Sequence, residues 1–201
     1  MSDNLKRRGR RQFLILAALF LAPVLGAYLV YFHAPGLAPE GTTNYGELES
    51  PVRPLPEESL LTGADGEPAD AALTGLWTLV LRADGACDEV CEANLILTRQ
   101  VRLALNNKRT RVQRLLVVDT PERAAELSER YGEPHPHLLV AAGSPRLDAF
   151  LQLPHAELLL LDPNGNAVMR YRPLQTPDGV QQDFKGIRKD LKKLLRLSNI
   201  G

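Results

Sequence analysis

The feature that most constrains this chain is a run of 20 residues, Phe13 to Phe32, without a charged side chain. At the rise of an α-helix this run spans about 30 Å, which matches the hydrocarbon core of a bilayer. Tyr28, Tyr31 and Phe32 lie at its far end, where aromatic side chains favour the membrane interface. The run therefore predicts a single transmembrane helix over residues 13–32.

The charges on either side of this run predict its orientation. Five basic residues precede it, whereas the first charged residue after it is Glu40. The positive-inside rule places residues 1–12 in the cytoplasm and the rest outside, in the periplasm of an inner-membrane protein. A cleaved signal peptide is the alternative, but its apolar region is only about 7–15 residues long and ends at a small-residue cleavage site. The pattern favours a retained anchor.

The remainder of the chain divides into a linker and a folded domain. Residues 33–72 are rich in Pro and Gly and lack helical periodicity, so we expect a linker and an extended arm. From residue 73 to 201, apolar strands alternate with amphipathic helices. The predicted strands are Trp77–Leu81, Val112–Asp119, His137–Ala141, Glu157–Leu161 and Ala167–Arg172, and the predicted helices are Asp88–Asn106, Thr120–Tyr131, Ser144–Leu151 and Gln181–Leu197. This order predicts an α/β fold, a thioredoxin-like mixed sheet flanked by helices.

Two cysteines, Cys87 and Cys91, are the only ones in the chain, and they follow the first strong strand. On a helix their spacing would place both sulfurs on one face, one turn apart. They have three possible uses: an inert disulfide, a redox-active dithiol or a pair of ligands for a soft metal ion. An inert disulfide is disfavoured because so small a loop constrains the unfolded chain little. Thioredoxin-type redox pairs have two intervening residues rather than three.

Acidic neighbours bear on the choice between the remaining uses. Asp88, Glu89 and Glu92 surround the cysteines. Negative charge raises the pKa of a thiol and opposes the effect of a helix N-terminus. A bound cation reverses that penalty, so the pattern is compatible with a metal site.

A third ligand is expected from one of four histidines. His155 lies just before the strand at Glu157–Leu161, and in a thioredoxin-like fold the loop before this strand packs beside the cysteines. The alternative for His155 is a solvent-facing loop histidine. His33 is expected at the membrane interface, and the prolines around His135 and His137 predict an exposed loop.

Several motifs occur together in a recognisable order. They are Trp77-Thr78-Leu79, Cys87-x-x-Val90-Cys91, Asp119-Thr120-Pro121-Glu122, Gly143-Ser144-Pro145, and His155 followed by Pro163-Asn164-Gly165. With them, residues 74–197 resemble the Sco family, membrane-anchored thioredoxin-like copper proteins that help to assemble the dinuclear copper centre of cytochrome c oxidase. The family usually has proline after each cysteine and aspartate before the histidine, where this chain has Asp88, Glu92 and Pro154.

The resemblance implies that Cys87, Cys91 and His155 bind copper, the thiolates holding Cu(I) and the imidazole allowing Cu(II). The expected partner is a cytochrome c oxidase subunit or another copper or thiol protein. The zero net charge gives no indication of nucleic-acid binding. Two alternatives stay open: a membrane-tethered thiol–disulfide oxidoreductase that uses Cys87 and Cys91, and an interaction module with vestigial cysteines. The sequence leaves open whether the protein is an enzyme.

Overall fold

The computed structural model describes residues 2–33, 43–57, 60–155, 157–173 and 177–198. The chain forms two compact units, Met1–Thr43 and Asn44–Gly201. Residues 34–42, which belong to the expected linker and arm over residues 33–72, lie outside the described residues.

The first unit contains helix α1, Ser2–His33. Within it, residues Arg7–Phe32 are long and apolar enough to cross a membrane. The helix begins at Ser2, so the basic residues that precede the apolar run belong to the same helix. Its described apolar side chains are exposed, which is favourable only where lipid replaces water.

The second unit is built on one seven-stranded sheet with the order β1-β7-β6-β3-β4-β5-β2. The strands are β1 Glu47–Arg53, β2 Leu61–Gly63, β3 Trp77–Arg82, β4 Val112–Val118, β5 Leu138–Gly143, β6 Leu158–Leu161 and β7 Ala167–Tyr171. The helices are α2 Glu89–Leu103, α3 Pro121–Gly132, α4 Pro145–Leu151 and α5 Pro177–Leu197, with short 3-10 helices at Asp70–Leu73 and Asn106–Arg111.

The strand directions give the sheet its mixed character. Strands β3, β4 and β5 run parallel, joined by the crossover helices α2 and α3. Strand β6 runs antiparallel to β3 and forms a hairpin with β7, after which α5 ends the fold. The predicted thioredoxin-like mixed sheet flanked by helices is confirmed. This topology places the end of β3 beside the start of β6, which are far apart in sequence.

The folded unit begins earlier than the predicted boundary at residue 73. Strand β1 pairs with β7 and strand β2 pairs with β5, so both edges of the sheet come from the expected linker and arm. The side chains of β1 are mostly exposed, and Pro51 lies within it. This edge strand therefore lacks the apolar alternation by which a strand is identified from sequence.

Apolar side chains form a core on each face of the sheet. Leu79 and Leu81 of β3 point to one face, where α2, α3 and α5 pack. Val80, between them, points to the other face, which α4 and the segment around Leu60 and Leu61 cover. Successive strand residues alternate between faces, so each continuous apolar strand is buried on both sides.

Candidate thiol and metal site

The cysteine loop connects the end of β3 to the start of α2. Asp88 is the N-cap of α2, and its Oδ1 accepts a hydrogen bond of 2.9 Å from the backbone N–H of Cys91. Cys91 therefore lies in the first turn of the helix, whereas Cys87 precedes the cap. Cys87 thus lies outside the helix, as the prediction of a helix beginning at Asp88 implied, and the two cysteines are not a pair on one helix face. The loop nevertheless brings their Cα atoms to 5.2 Å, and the two sulfurs form a disulfide.

Both cysteines are largely shielded from solvent. Cys87 is 5% exposed and Cys91 is fully buried against the core. Thiol–disulfide exchange requires an attacking thiolate to reach one of the two sulfurs of the disulfide. Of the two cysteines, only Cys87 is therefore accessible to a reductant or to a partner thiolate.

His155 lies beside the cysteine loop although it is 67 residues from Asp88 in the sequence. Strand β6 is antiparallel to β3, so the segment before β6 reaches the loop after β3. The Nε2 atom of His155 is 3.2 Å from each carboxylate oxygen of Asp88, the residue after Cys87. The structure therefore places His155 beside the cysteine motif, and its imidazole is half-buried.

Asp88 is the residue that joins the helix cap to the histidine. The hydrogen bond from Cys91 holds the pKa of Asp88 below its ordinary value against the opposing effect of burial, and the charge of His155 adds a smaller lowering effect. Asp88 is therefore a carboxylate at neutral pH. A metal ion bound through Nε2 of His155 would first have to displace this carboxylate.

The acidic neighbours are not equivalent. Glu92 accepts hydrogen bonds from Arg130, at 2.6 Å, and from the hydroxyl of Tyr131, at 2.8 Å. Burial, and then the hydrogen bond to Glu92, raise the pKa of Tyr131 to about 12. The charge of Glu92 is thus shared with helix α3, and Asp88 is the acid that contacts His155.

An arginine at the end of β3, which was not predicted from the sequence, forms ion pairs around the start of the cysteine loop. Arg82, the last residue of β3, forms ion pairs with Asp84, Asp119 and Asp148. Asp119 also accepts a hydrogen bond from the backbone N–H of Gly85 at 3.2 Å. The sequence does contain a signal for this contact. Arg82 ends strand β3 and Asp119 directly follows strand β4, and the carboxyl ends of two parallel neighbouring strands lie at the same edge of a sheet.

The remaining histidines are elsewhere. His135 is only 7% exposed and packs edge-on against the ring of Tyr131, so the expectation of an exposed loop is wrong for this residue. His137 is exposed, with a backbone φ of 63°. His33 ends helix α1.

Among the described residues, no group of three or more His, Cys, Asp or Glu side chains is arranged to hold a metal ion. Neither sulfur is available as a thiolate ligand while the disulfide is closed. Two thiolates and one imidazole are the donor set that suits copper. In this chain the two sulfurs become thiolate donors only after the disulfide has been reduced.

Comparisons with known proteins agree with this fold. Residues 77–198 match the family model described as "Transmembrane-like, thioredoxin-like, C-terminal domain". No curated protein matches the chain.

Solved structures of Sco proteins share the architecture. The solution structure of apo Sco1 from Thermus thermophilus is 22% identical, with a TM-score of 0.60 over 78% of this chain and 99% of that one. Yeast Sco1 is 18% identical, with a TM-score of 0.59 over 75% and 98%. Arabidopsis thaliana ScoI with copper bound is 18% identical, with a TM-score of 0.52 over 74% and 98%. The resemblance predicted from the sequence motifs is confirmed, and at these identities it establishes the fold.

Proposed function

This chain belongs to the family of transmembrane-like, thioredoxin-like C-terminal domains, and from that premise we propose that it is a membrane-anchored, Sco-like copper-binding protein that assists assembly of the copper centre of cytochrome c oxidase. Helix α1 would hold it in the inner membrane, with the N-terminus in the cytoplasm and the folded domain in the periplasm. Its partner would be an oxidase subunit or another copper or thiol protein.

The observation that supports this proposal is the contact between His155 and Asp88, the residue that follows Cys87. The cysteines follow β3 and the histidine precedes β6, and the antiparallel pairing of these strands brings them together. A purely structural disulfide would need no histidine beside it. A copper protein needs two soft thiolates and gains a ligand for Cu(II) from an imidazole.

The chemistry begins with reduction of the disulfide. A dithiol reductant supplies two electrons and two protons, and both cysteines become thiols. The thiols lose their protons when they bind Cu(I), and His155 completes the ligand set after it leaves Asp88. The cargo then passes to a partner by exchange of ligands, for which the partial exposure at Cys87 offers the route.

A titration of the reduced, full-length protein in detergent tests this proposal. Cu(I) is titrated against a competing chelator, and Cu(II) is titrated separately. We expect tight one-to-one Cu(I) binding that is lost in the Cys87→Ser/Cys91→Ser variant. The variant His155→Ala should weaken Cu(II) binding far more than Cu(I) binding, because the imidazole is the harder ligand.

A matched histidine serves as the control for this titration. His137 is exposed and its positive φ suits asparagine, so His137→Asn should leave both affinities unchanged. Equal loss of Cu(I) and Cu(II) binding in His155→Ala would contradict the ligand assignment. Absence of competitive Cu(I) binding would remove copper from the proposal altogether.

A thiol–disulfide oxidoreductase is the second candidate, and the closed disulfide between Cys87 and Cys91 favours it. In this case the pair would exchange electrons with the cysteines of a substrate protein, and His155 would be dispensable. A reversible couple at about −200 to −300 mV that is unchanged in His155→Ala would support this candidate. The same variant thus separates the two functions.

A further inference from the structure

A strongly basic groove lies on the domain away from the cysteine loop. Helix α5 and the 3-10 helix Asn106–Arg111 form its walls, and it encloses about 510 Å³. Its cations are Lys108, Lys189, Lys192, Lys193 and Arg196. Among the described residues that line it, none is Asp or Glu. A volume of this size has room for a small ligand, and the cations that line it favour an anion.

The spacing of the cations on α5 concentrates their charge. Positions 189, 192, 193 and 196 are neighbours on one helix face, where like charges repel each other. Asp190, the one acidic residue in this stretch, is buried and accepts hydrogen bonds from the backbone N–H groups of Tyr45 and Gly46. Its carboxylate therefore does not line the groove, and an anion bound from outside would relieve the repulsion.

The walls of the groove are held together by their own contacts. Lys108 and Arg111 donate hydrogen bonds to the carbonyl oxygen of Leu195, at 3.2 and 2.9 Å. Arg111 also donates to the carbonyl oxygen of Ser198 at 2.8 Å. These cations stabilise the C-terminal end of α5 and fix the 3-10 helix against it. The groove is therefore a preformed feature of the fold.

The groove lies where the tether joins the domain. Lys193 donates a hydrogen bond of 3.2 Å to the side-chain oxygen of Asn44, the first residue of the folded unit. Ten residues, 34–43, separate Asn44 from the end of α1 at His33. Even when fully extended, a segment of this length reaches only about 35 Å. The tether thus sets an upper limit on the distance between Asn44 and the end of the helix that is able to cross a membrane.

From these observations we propose that the groove binds the phosphate of an anionic phospholipid headgroup at the membrane surface. Electrostatic attraction to a charged surface acts within about a Debye length, roughly 10 Å at 0.1 M salt, and the tether favours the contact because it keeps the local concentration of the membrane surface high. The bound headgroup would hold one face of the domain against the bilayer. This proposal requires the anchoring helix but not copper binding.

The test uses the full-length protein in nanodiscs of phosphatidylcholine with or without phosphatidylglycerol. The rates at which an amine-reactive reagent labels individual lysines are measured by mass spectrometry. We expect Lys189 and Lys192 to be labelled several-fold more slowly in the discs with phosphatidylglycerol, and the protection to disappear at high salt. Lys185, which is exposed on the same helix but outside the groove, should be labelled equally in both discs.

Two charge-matched variants examine the groove itself. In Lys189→Glu/Lys192→Glu the protection of Lys193 should be lost, whereas Lys185→Glu/Arg123→Glu should retain it. Both variants should keep the copper affinity of the parent protein, so failure here is distinguishable from failure of the proposed function. Equal labelling in the two kinds of disc would overturn the proposal. Protection in phosphatidylcholine discs by inorganic phosphate alone would also overturn it and identify a free phosphate as the ligand.

Discussion

At the scale of single residues, Asp88 is the link between the two halves of the site. It caps α2 through the N–H of Cys91 and contacts the imidazole of His155. Its negative charge also lies beside both cysteines, where it opposes formation of a thiolate. Asparagine keeps the capping preference but removes the charge.

We therefore expect Asp88→Asn to lower the pKa of the thiols in the reduced protein. The pH dependence of alkylation by iodoacetamide measures this change, and its midpoint should move to lower pH. Glu129→Gln, at an exposed position of α3, is the control and should leave the midpoint in place. A midpoint that stays fixed or rises in Asp88→Asn would mean that Asp88 does not govern the thiols.

At the scale of secondary-structure elements, α5 fastens the start of the folded unit. The buried carboxylate of Asp190 accepts hydrogen bonds from the N–H groups of Tyr45 and Gly46, and Asp183 accepts one of 2.6 Å from the hydroxyl of Tyr45. Burial, and then the hydrogen bond to Asp183, raise the pKa of Tyr45 to about 12, so the hydroxyl remains a donor at neutral pH. These contacts position the chain to enter strand β1.

Asp190→Ala should lower the free energy of unfolding by about 1–3 kcal/mol, because it leaves buried N–H groups without an acceptor. Urea unfolding measures the loss. Lys185→Ala changes an exposed position of the same helix and should have little effect. Equal stability of Asp190→Ala and the parent protein would show that the fastening contributes nothing to the fold.

The elements also show which parts of this fold could be predicted from residues that are close together in the sequence. Helices α3 and α4 begin where they were predicted, because their caps, Thr120 and Ser144, and the prolines that follow depend on adjacent residues only. The continuous apolar strands were found for a similar reason. Strand β1 and the pairings of Arg82 were not, since they depend on partners that come close only after the sheet has formed. The position of His155 beside the cysteine loop was expected from the thioredoxin-like fold, in which the loop before this strand packs beside the cysteines.

At the scale of the whole molecule, the position of the domain boundary is the main difference between the prediction and the structure. The folded unit begins at Asn44, and residues 44–72 supply two strands as well as Leu60 and Leu61, each only 1% exposed. The carboxylate of Asp70 holds that segment in place because it accepts hydrogen bonds from the backbone N–H groups of both leucines. Burying one such side chain contributes about 1.5–3 kcal/mol.

We therefore expect fragments that begin at Asn44 and at Leu73 to behave differently. The fragment 44–201 retains both core clusters and should unfold in urea with the midpoint of the full-length protein in detergent. The fragment 73–201 loses about 3–6 kcal/mol from the two leucines alone, which is comparable to the whole stability of many domains, so its cooperative transition should be lost or strongly shifted. Circular dichroism during urea titration measures both. A fragment 73–201 as stable as 44–201 would mean that the edge strands lie on the domain without supporting it, and that the boundary at Leu73 describes the folding unit.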